Sequence, residues 1–119
     1  MNPLESVEQK ALVQWLRLQK IQFVVPQNEN IFSFLDRETA IKIQMKSKAI
    51  GVERGYSDLI IFLPNRLLCL ELKRRKGGKV SKEQKKFLDS VNEYPYAVGA
   101  VANGWEEAKA LVEYYRDVE

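Results

Sequence analysis

Apolar and polar positions along the chain repeat with the periods of helices and strands. A first helix is expected from Ser6, which can form a capping box with Gln9, to about Lys20. Its apolar stripe consists of Ala11, Leu12, Trp15 and Leu16. Asp36 can cap a second helix that ends near Lys48.

The second half of the chain predicts two more helices among several apolar strands. Ser81 and Gln84 form a capping box for a helix to about Tyr94, and a closing helix is expected over Trp105 to Asp117. The expected strands are Ile21 to Val25, Ile31 to Leu35 as a further candidate, Leu59 to Leu63, Leu67 to Lys73, and Tyr96 to Val101. This alternation indicates an α/β domain.

Two of these strands form a hairpin that carries charged side chains. Because side chains alternate along a strand, Glu71 and Lys73 lie on one face. If Pro64 and Asn65 form a two-residue turn, Asp58 lies directly opposite Glu71. A bulge in the turn would shift this register by one. Like charges at opposed positions are destabilising unless a group such as a cation compensates them.

The composition is that of one ordinary globular domain. The chain has 119 residues, 45% hydrophobic and 29% charged, which suits a single domain over residues 1–119. The N-terminus lacks the pattern of a secretory signal, and no apolar run approaches the roughly 18 residues of a membrane span. A cytoplasmic protein is therefore expected, in a bacterial or phage-infected cell.

The chain contains no histidine and one cysteine, Cys69. This excludes an internal disulfide, a Cys/His nucleophile and histidine-dependent metal sites, and favours Cys69 as a small core residue. Two carboxylates without histidine favour Mg²⁺ or Mn²⁺, which suits phosphodiester hydrolysis. Lys73 could orient or activate the attacking water, or could simply form an ion pair with Glu71.

Basic charge is concentrated directly after the hairpin. Residues 73–86 carry eight basic side chains and one acidic one, whereas the whole chain has a net charge of +3. Such a run is either a solvated surface or a surface that binds phosphates by displacing counterions. Its position beside the acidic residues favours phosphate binding.

The motifs resemble a known nuclease family. The stretch Gly55-Tyr56-Ser57-Asp58 and the later Glu71-Leu72-Lys73 follow the D…ExK pattern of the PD-(D/E)XK nucleases. Together with a helical Glu8 and Ser81-x-x-Gln84, they resemble the VRR-NUC family over nearly the whole chain from Glu8 onward. The resemblance implies a restriction-endonuclease-like fold, with a mixed central sheet flanked by helices. Ser57 stands where the pattern usually has proline.

The resemblance also implies roles for individual residues. Asp58 and Glu71 would bind the metal through their side chains, with the backbone carbonyl of Leu72 as a third ligand. Lys73 would position the attacking water. Glu8 would enter the site through a second metal or a water, although a glutamate near a helix start is also favoured by the helix dipole.

Gln84 would support the site from the next helix, or would only cap that helix. Asn28 and Asn30 could approach the site edge or DNA. The residues expected to contact DNA phosphates are Arg74, Arg75, Lys76, Lys79 and Lys82.

The resemblance implies a stand-alone, phage-like or bacterial deoxyribonuclease that needs no small-molecule cofactor. Minimal members of the family are associated with homodimers that cut branched DNA such as Holliday junctions. Apolar side chains in Ile31–Leu35 and Trp105–Tyr115 are candidates for the dimer interface. The alternatives are a structure-selective DNA-binding module without catalysis and a minimal restriction-type endonuclease.

Overall fold

The computed structural model describes residues 3–26, 36–39, 41–42, 45 and 57–118. Three helices are α1 (Pro3–Leu18), α2 (Lys82–Val91) and α3 (Trp105–Asp117), and residues 37–39, 41–42 and 45 are also helical. The strands are β1 (Phe23–Val24), β2 (Leu59–Leu63), β3 (Arg66–Lys73) and β4 (Ala97–Asn103). None of the described helices is long and apolar enough to cross a membrane.

The four described strands form one mixed sheet in the order β1-β2-β3-β4. β1 pairs antiparallel with β2, and β2 pairs antiparallel with β3. β4 lies parallel to β3, because α2 is a crossover helix that returns the chain to the end of the sheet where β3 begins. The predicted α/β class with a mixed sheet and flanking helices is confirmed.

Helices cover the sheet on both faces. On one face, Leu12 and Leu16 of α1 and Val112 of α3 pack against inward-facing leucines of β2 and β3. On the other face, a smaller cluster joins Cys69 of β3 to Leu88 and Val91 of α2. Cys69 is buried, as expected of a small core residue, and burial raises the pKa of its thiol.

The helix and strand limits differ from the sequence prediction in specific places. α1 begins at Pro3, so Ser6 lies inside the helix and does not cap it; proline suits the first turn, where its missing N–H is not needed. β4 extends to Asn103 because its pairing with β3 continues to Lys73. Asp36 accepts a hydrogen bond from the Thr39 backbone N–H at 3.1 Å, as a cap should. The predicted strand Ile31–Leu35 lies outside the described residues.

A close contact between α2 and β4 fixes the position of the helix. The Asn92 side chain, directly after α2, bonds both the N–H and the C=O of Gly99 at 2.8 and 3.0 Å. A Cβ at Gly99 would lie 2.6 Å from the carbonyl oxygen of Leu88, so only glycine allows this approach. The contact holds α2 against the sheet and thereby places the start of α2 beside the end of β3.

Candidate metal centre and nucleic-acid interface

Asp58 lies at the start of β2, opposite the end of β3. Leu59 pairs with Leu70, so the register is the one predicted from a two-residue turn and brings Asp58 to the level of Glu71. The Asp58 Oδ2 atom accepts a hydrogen bond from the Leu72 backbone N–H at 2.7 Å. This bond fixes the aspartate against β3.

Glu71 and Lys73 point from β3 toward the face that α2 covers. Their exposed fractions are only 1% and 8%. The Glu71 Oε1 atom accepts a hydrogen bond from Gln84 Nε2 at 2.7 Å and lies 3.3 Å from the Lys73 ammonium. The Glu71 Oε2 atom is buried and has no hydrogen-bond donor. A buried carboxylate oxygen without a donor is costly, so this atom needs a proton or a cation.

The raised pKa values of Asp58 and Glu71 also indicate that this pair requires a proton or a cation. Burial, and next the repulsion from Asp58, raise the pKa of Glu71 from the ordinary 4.5 to about 8, although Lys73 opposes this change. Burial also raises the pKa of Asp58, against the lowering effect of its bond to the Leu72 N–H. A hydrogen bond between the two carboxyl groups further raises the pKa of Glu71 and lowers that of Asp58. In the metal-free protein, the pair therefore retains a proton below about pH 8, and the larger rise in the pKa of Glu71 favours that residue as its carrier.

The capping box of α2 orients the Gln84 side chain. The Ser81 hydroxyl accepts from the Gln84 backbone N–H at 3.1 Å, and Gln84 Oε1 accepts from the Ser81 backbone N–H at 2.9 Å. With its oxygen engaged there, the amide directs its Nε2 donor at Glu71. Gln84 thus both caps α2 and supports the glutamate; the two sequence interpretations are compatible.

The two carboxylates fit a hard divalent cation. Carboxylate oxygens are the ligands such ions prefer, and they complete their coordination with water and substrate phosphate. A cation would satisfy Glu71 Oε2 and oppose both the burial and the repulsion from Asp58 that raise the pKa of Glu71. Within the described part of the chain, no group of three or more acidic, cysteine or histidine side chains is placed to hold a metal. Within this described part, further ligands would come from the backbone or from solvent.

Glu8 contacts a different part of the fold. Its Oε1 atom accepts from the backbone N–H of Trp105 at 2.8 Å, and its Oε2 atom lies 3.5 Å from Arg75 Nε. Gly104, the residue before α3, supplies no side-chain cap. Glu8 therefore caps α3 from outside, a position that the helix dipole favours. No local sequence signal could have indicated this contact.

The structure separates the predicted phosphate-binding residues into two groups. Arg75 lies 3.0 Å from Glu106 in addition to its contact with Glu8. Arg74 donates to the Gly77 carbonyl oxygen at 3.0 Å. Both arginines are thus engaged within the protein.

The lysines Lys76, Lys79 and Lys82 are exposed, and in the described structure none of them forms an ion pair. The nearby Lys85 is paired with Asp89 at 3.1 Å. Among the five residues predicted to contact phosphates, the unpaired positive charge therefore resides on these three lysines.

Of the remaining motif positions, the structure describes Ser57. Ser57, at the usual position of proline, is buried, and its hydroxyl donates to the Leu59 carbonyl oxygen at 3.2 Å. Asn28, Asn30, Gly55 and Tyr56 lie outside the described residues.

The fold and the family match together define a nuclease-type α/β domain. A family model of the VRR-NUC domain matches residues 4–105, and the chain belongs to that family. A solved structure described as a VRR_NUC domain protein is similar to this chain with a TM-score of 0.74 and 20% sequence identity. The alignment covers 97% of this chain and 89% of that one, which shows a shared fold. No curated protein matches the chain.

Proposed function

We propose that this protein is a Mg²⁺- or Mn²⁺-dependent deoxyribonuclease whose metal is held by Asp58 and Glu71. The observation that carries the proposal is the buried Glu71 Oε2 atom, which has no donor and faces a second carboxyl group with a raised pKa. A purely structural carboxylate at this depth would have its oxygens satisfied. The nuclease-type family gives the substrate class.

Each residue of the proposed site has a separate task. When bound, the cation supplies Lewis-acid stabilisation of phosphate charge and lowers the pKa of a coordinated water. Asp58 and Glu71 bind it, and the Leu72 carbonyl is the proposed third protein ligand. Lys73 orients the attacking water, and Gln84 keeps the Glu71 carboxylate in one orientation through its 2.7 Å bond.

Glu8 can belong to the proposed site only if its side chain changes partners. A role for its carboxylate at a second metal or at a bound water would require it to leave the Trp105 N–H and Arg75. The same movement would leave the first turn of α3 without its acidic cap. A test of Glu8 must therefore separate its effect on stability from its effect on the metal.

DNA would approach the side of the site where the unpaired lysines lie. Lys76, Lys79 and Lys82 can contact phosphates without breaking an ion pair, whereas Arg75 would have to exchange two carboxylate partners. We therefore propose that the lysines supply most of the phosphate contacts and that Arg74 and Arg75 mainly hold the loop and α1 in place.

We also propose that the protein acts on branched DNA, such as Holliday junctions, as a two-fold homodimer. Two symmetric incisions in a junction need two sites, which a two-fold dimer supplies. In the stretch Trp105–Tyr115, most large apolar side chains pack into the protein's own core, and Tyr114 is the one that is largely exposed. This helix therefore gives the dimer less support than its sequence suggests.

Cleavage of a DNA panel tests the proposal. Duplex, flap, splayed and four-way substrates are incubated with EDTA, Mg²⁺ or Mn²⁺, and Mn²⁺ binding is measured separately by electron paramagnetic resonance. We expect metal-dependent nicks, paired across a four-way junction, and loss of both Mn²⁺ binding and cleavage in Glu71→Gln. Metal-independent cleavage, or Mn²⁺ binding that survives Glu71→Gln, would overturn the metal assignment.

The same panel separates two other functions. A DNA-binding module without catalysis would bind branched DNA and leave it intact with every metal. A minimal restriction-type endonuclease would cut linear duplex at a fixed sequence. Sedimentation at micromolar concentration decides the assembly, because a strict monomer that makes paired cuts would contradict the dimer.

A further inference from the structure

We infer that Gly78 is a positioning residue for Lys73: its lack of a side chain fixes where the lysine ammonium lies. The inference rests on the proposed catalytic role of Lys73. A Cβ atom at Gly78 would lie 2.8 Å from the Lys73 Cβ and 3.4 Å from its Cγ. Real Cβ atoms essentially never approach so closely, so any larger residue must displace the lysine stem or the loop.

Glycine is required at position 78 by the close contact with Lys73 and not by an unusual backbone conformation. Among the glycines of this loop, Gly77 has the left-handed conformation, with φ of +78°, whereas Gly78 is not among the residues with positive φ. An alanine at position 78 would therefore adopt the existing backbone without strain of its own. Its effect should be transmitted through the lysine that it touches.

The Lys73 side chain has little freedom to move aside. It is 8% exposed and its ammonium lies 3.3 Å from Glu71 Oε1. The turn at Gly77, closed by the Arg74 bond to its carbonyl oxygen at 3.0 Å, brings the chain back over the end of β3. Displacing the stem would thus change the distance between ammonium and glutamate.

One segment of chain contacts both charged groups of the site on β3. After Gly78 meets the stem of Lys73, the chain continues to Ser81 and Gln84, whose amide binds Glu71. The loop therefore determines the position of the Lys73 side chain, and the first turn of α2 determines the orientation of the Glu71 carboxyl group. A side chain at position 78 would disturb the first of these without touching the second.

The test compares Gly78→Ala with Gly77→Asn. A misplacement of about 1 Å can reduce turnover by about 100-fold, so we expect Gly78→Ala to lower kcat by about 10- to 100-fold at temperatures where the variant is folded. The Kd for DNA should stay near wild type, whereas the melting temperature should fall, because the Lys73 Cβ is attached to the β3 backbone. Asparagine tolerates the left-handed conformation of Gly77, and a Cβ there points at the flexible end of Arg74. Gly77→Asn should therefore slow turnover much less.

A double variant shows whether the effect passes through Lys73. If Gly78 acts only by placing the ammonium, adding Gly78→Ala to Lys73→Ala should cause no further loss of kcat. A further loss equal to that in the wild-type background would overturn the inference, as would a Gly78→Ala protein that fails to fold or to bind DNA. Those results would mean that Gly78 serves the loop itself.

The inference and the proposed function fail in different ways. If Lys73→Ala keeps full turnover, Lys73 is not catalytic and the proposed function must be revised. If Lys73→Ala loses turnover while Gly78→Ala keeps it, the proposed role of Lys73 stands and only the positioning role of Gly78 is wrong.

Discussion

Asp58 and Glu71 face each other across the β2–β3 hairpin, and the Leu72 N–H holds the aspartate there at 2.7 Å. A buried glutamate and a half-buried aspartate at opposed positions of a hairpin do not both ionise readily without a compensating charge. Lys73 compensates one oxygen of Glu71 and leaves Oε2 without a hydrogen-bond donor. The hairpin therefore holds a proton when no metal is bound, and under the proposed function a cation would replace that proton.

The first prediction concerns the stability of the metal-free protein. Glu71 keeps its proton in the folded chain up to a pKa of about 8, compared with 4.5 for an ordinary glutamate. Between these pH values the folded state binds more protons than the unfolded state, so the free energy of unfolding should fall as pH rises. The fall is complete above about pH 8, and its upper limit is about 5 kcal/mol. Urea unfolding in EDTA from pH 4 to 9 measures it.

The control for this measurement is Glu71→Gln, which cannot ionise. Its unfolding free energy should depend less on pH than that of the wild type across the same window. Adding Mg²⁺ or Mn²⁺ at pH 8 should stabilise the wild type but not the variant, because a ligand that binds only the folded state raises its stability. Equal pH profiles for both proteins would show that Glu71 is already ionised without metal.

The second prediction concerns the charge of Asp58. Asp58→Asn keeps an oxygen that can accept from the Leu72 N–H but removes one of the two proposed metal charges. Cleavage should be abolished, whereas the metal-free protein should be as stable as wild type or up to about 1 kcal/mol more stable, the scale of an unfavourable cross-strand pair. Chemical denaturation and cleavage assays on one preparation measure both effects. Full activity in this variant would remove Asp58 from the ligand set.

The third prediction concerns salt. Log affinity for duplex DNA falls by roughly 0.9 for each phosphate contact per unit of log salt. Replacing Lys76, Lys79 and Lys82 with alanine should therefore reduce the slope by about two to three. Fluorescence anisotropy from low to moderate salt, with a catalytically inactive Asp58→Asn background, measures the slope without cleavage.

Lys109→Ala provides the matched control, since Lys109 is a partly exposed lysine of α3 that already contacts Glu113. Its slope should equal that of the parent protein. If Arg74→Ala with Arg75→Ala flattens the slope more than the three lysines do, the arginines exchange their internal partners for phosphates and our division of the basic residues is wrong.

The sequence predicted the register of the β2–β3 hairpin correctly because hairpin geometry is local. A two-residue turn determines the strand register, and the alternation of side chains then places Glu71 and Lys73 on one face. The capping box at Ser81 was equally local and placed Gln84 at the start of α2. The contact between Glu8 and Trp105 joins residues 97 positions apart. No periodicity within α1 carries information about the N-terminus of α3, so this contact required the fold.

The last prediction concerns that contact. Glu8→Ala removes the acceptor for the Trp105 N–H and the partner of Arg75, and loss of a helix cap costs about 1 kcal/mol, up to about 2. Glu8→Gln keeps an oxygen for the cap and should lose less stability. If Glu8 serves only α3, both variants should bind Mn²⁺ as the wild type does, and cleavage at temperatures well below melting should persist. If Glu8 also reaches the metal through water, Glu8→Gln should retain most of the stability but bind Mn²⁺ more weakly. Thermal denaturation together with Mn²⁺ titration therefore separates a cap from a ligand, which cleavage measurements alone could not do.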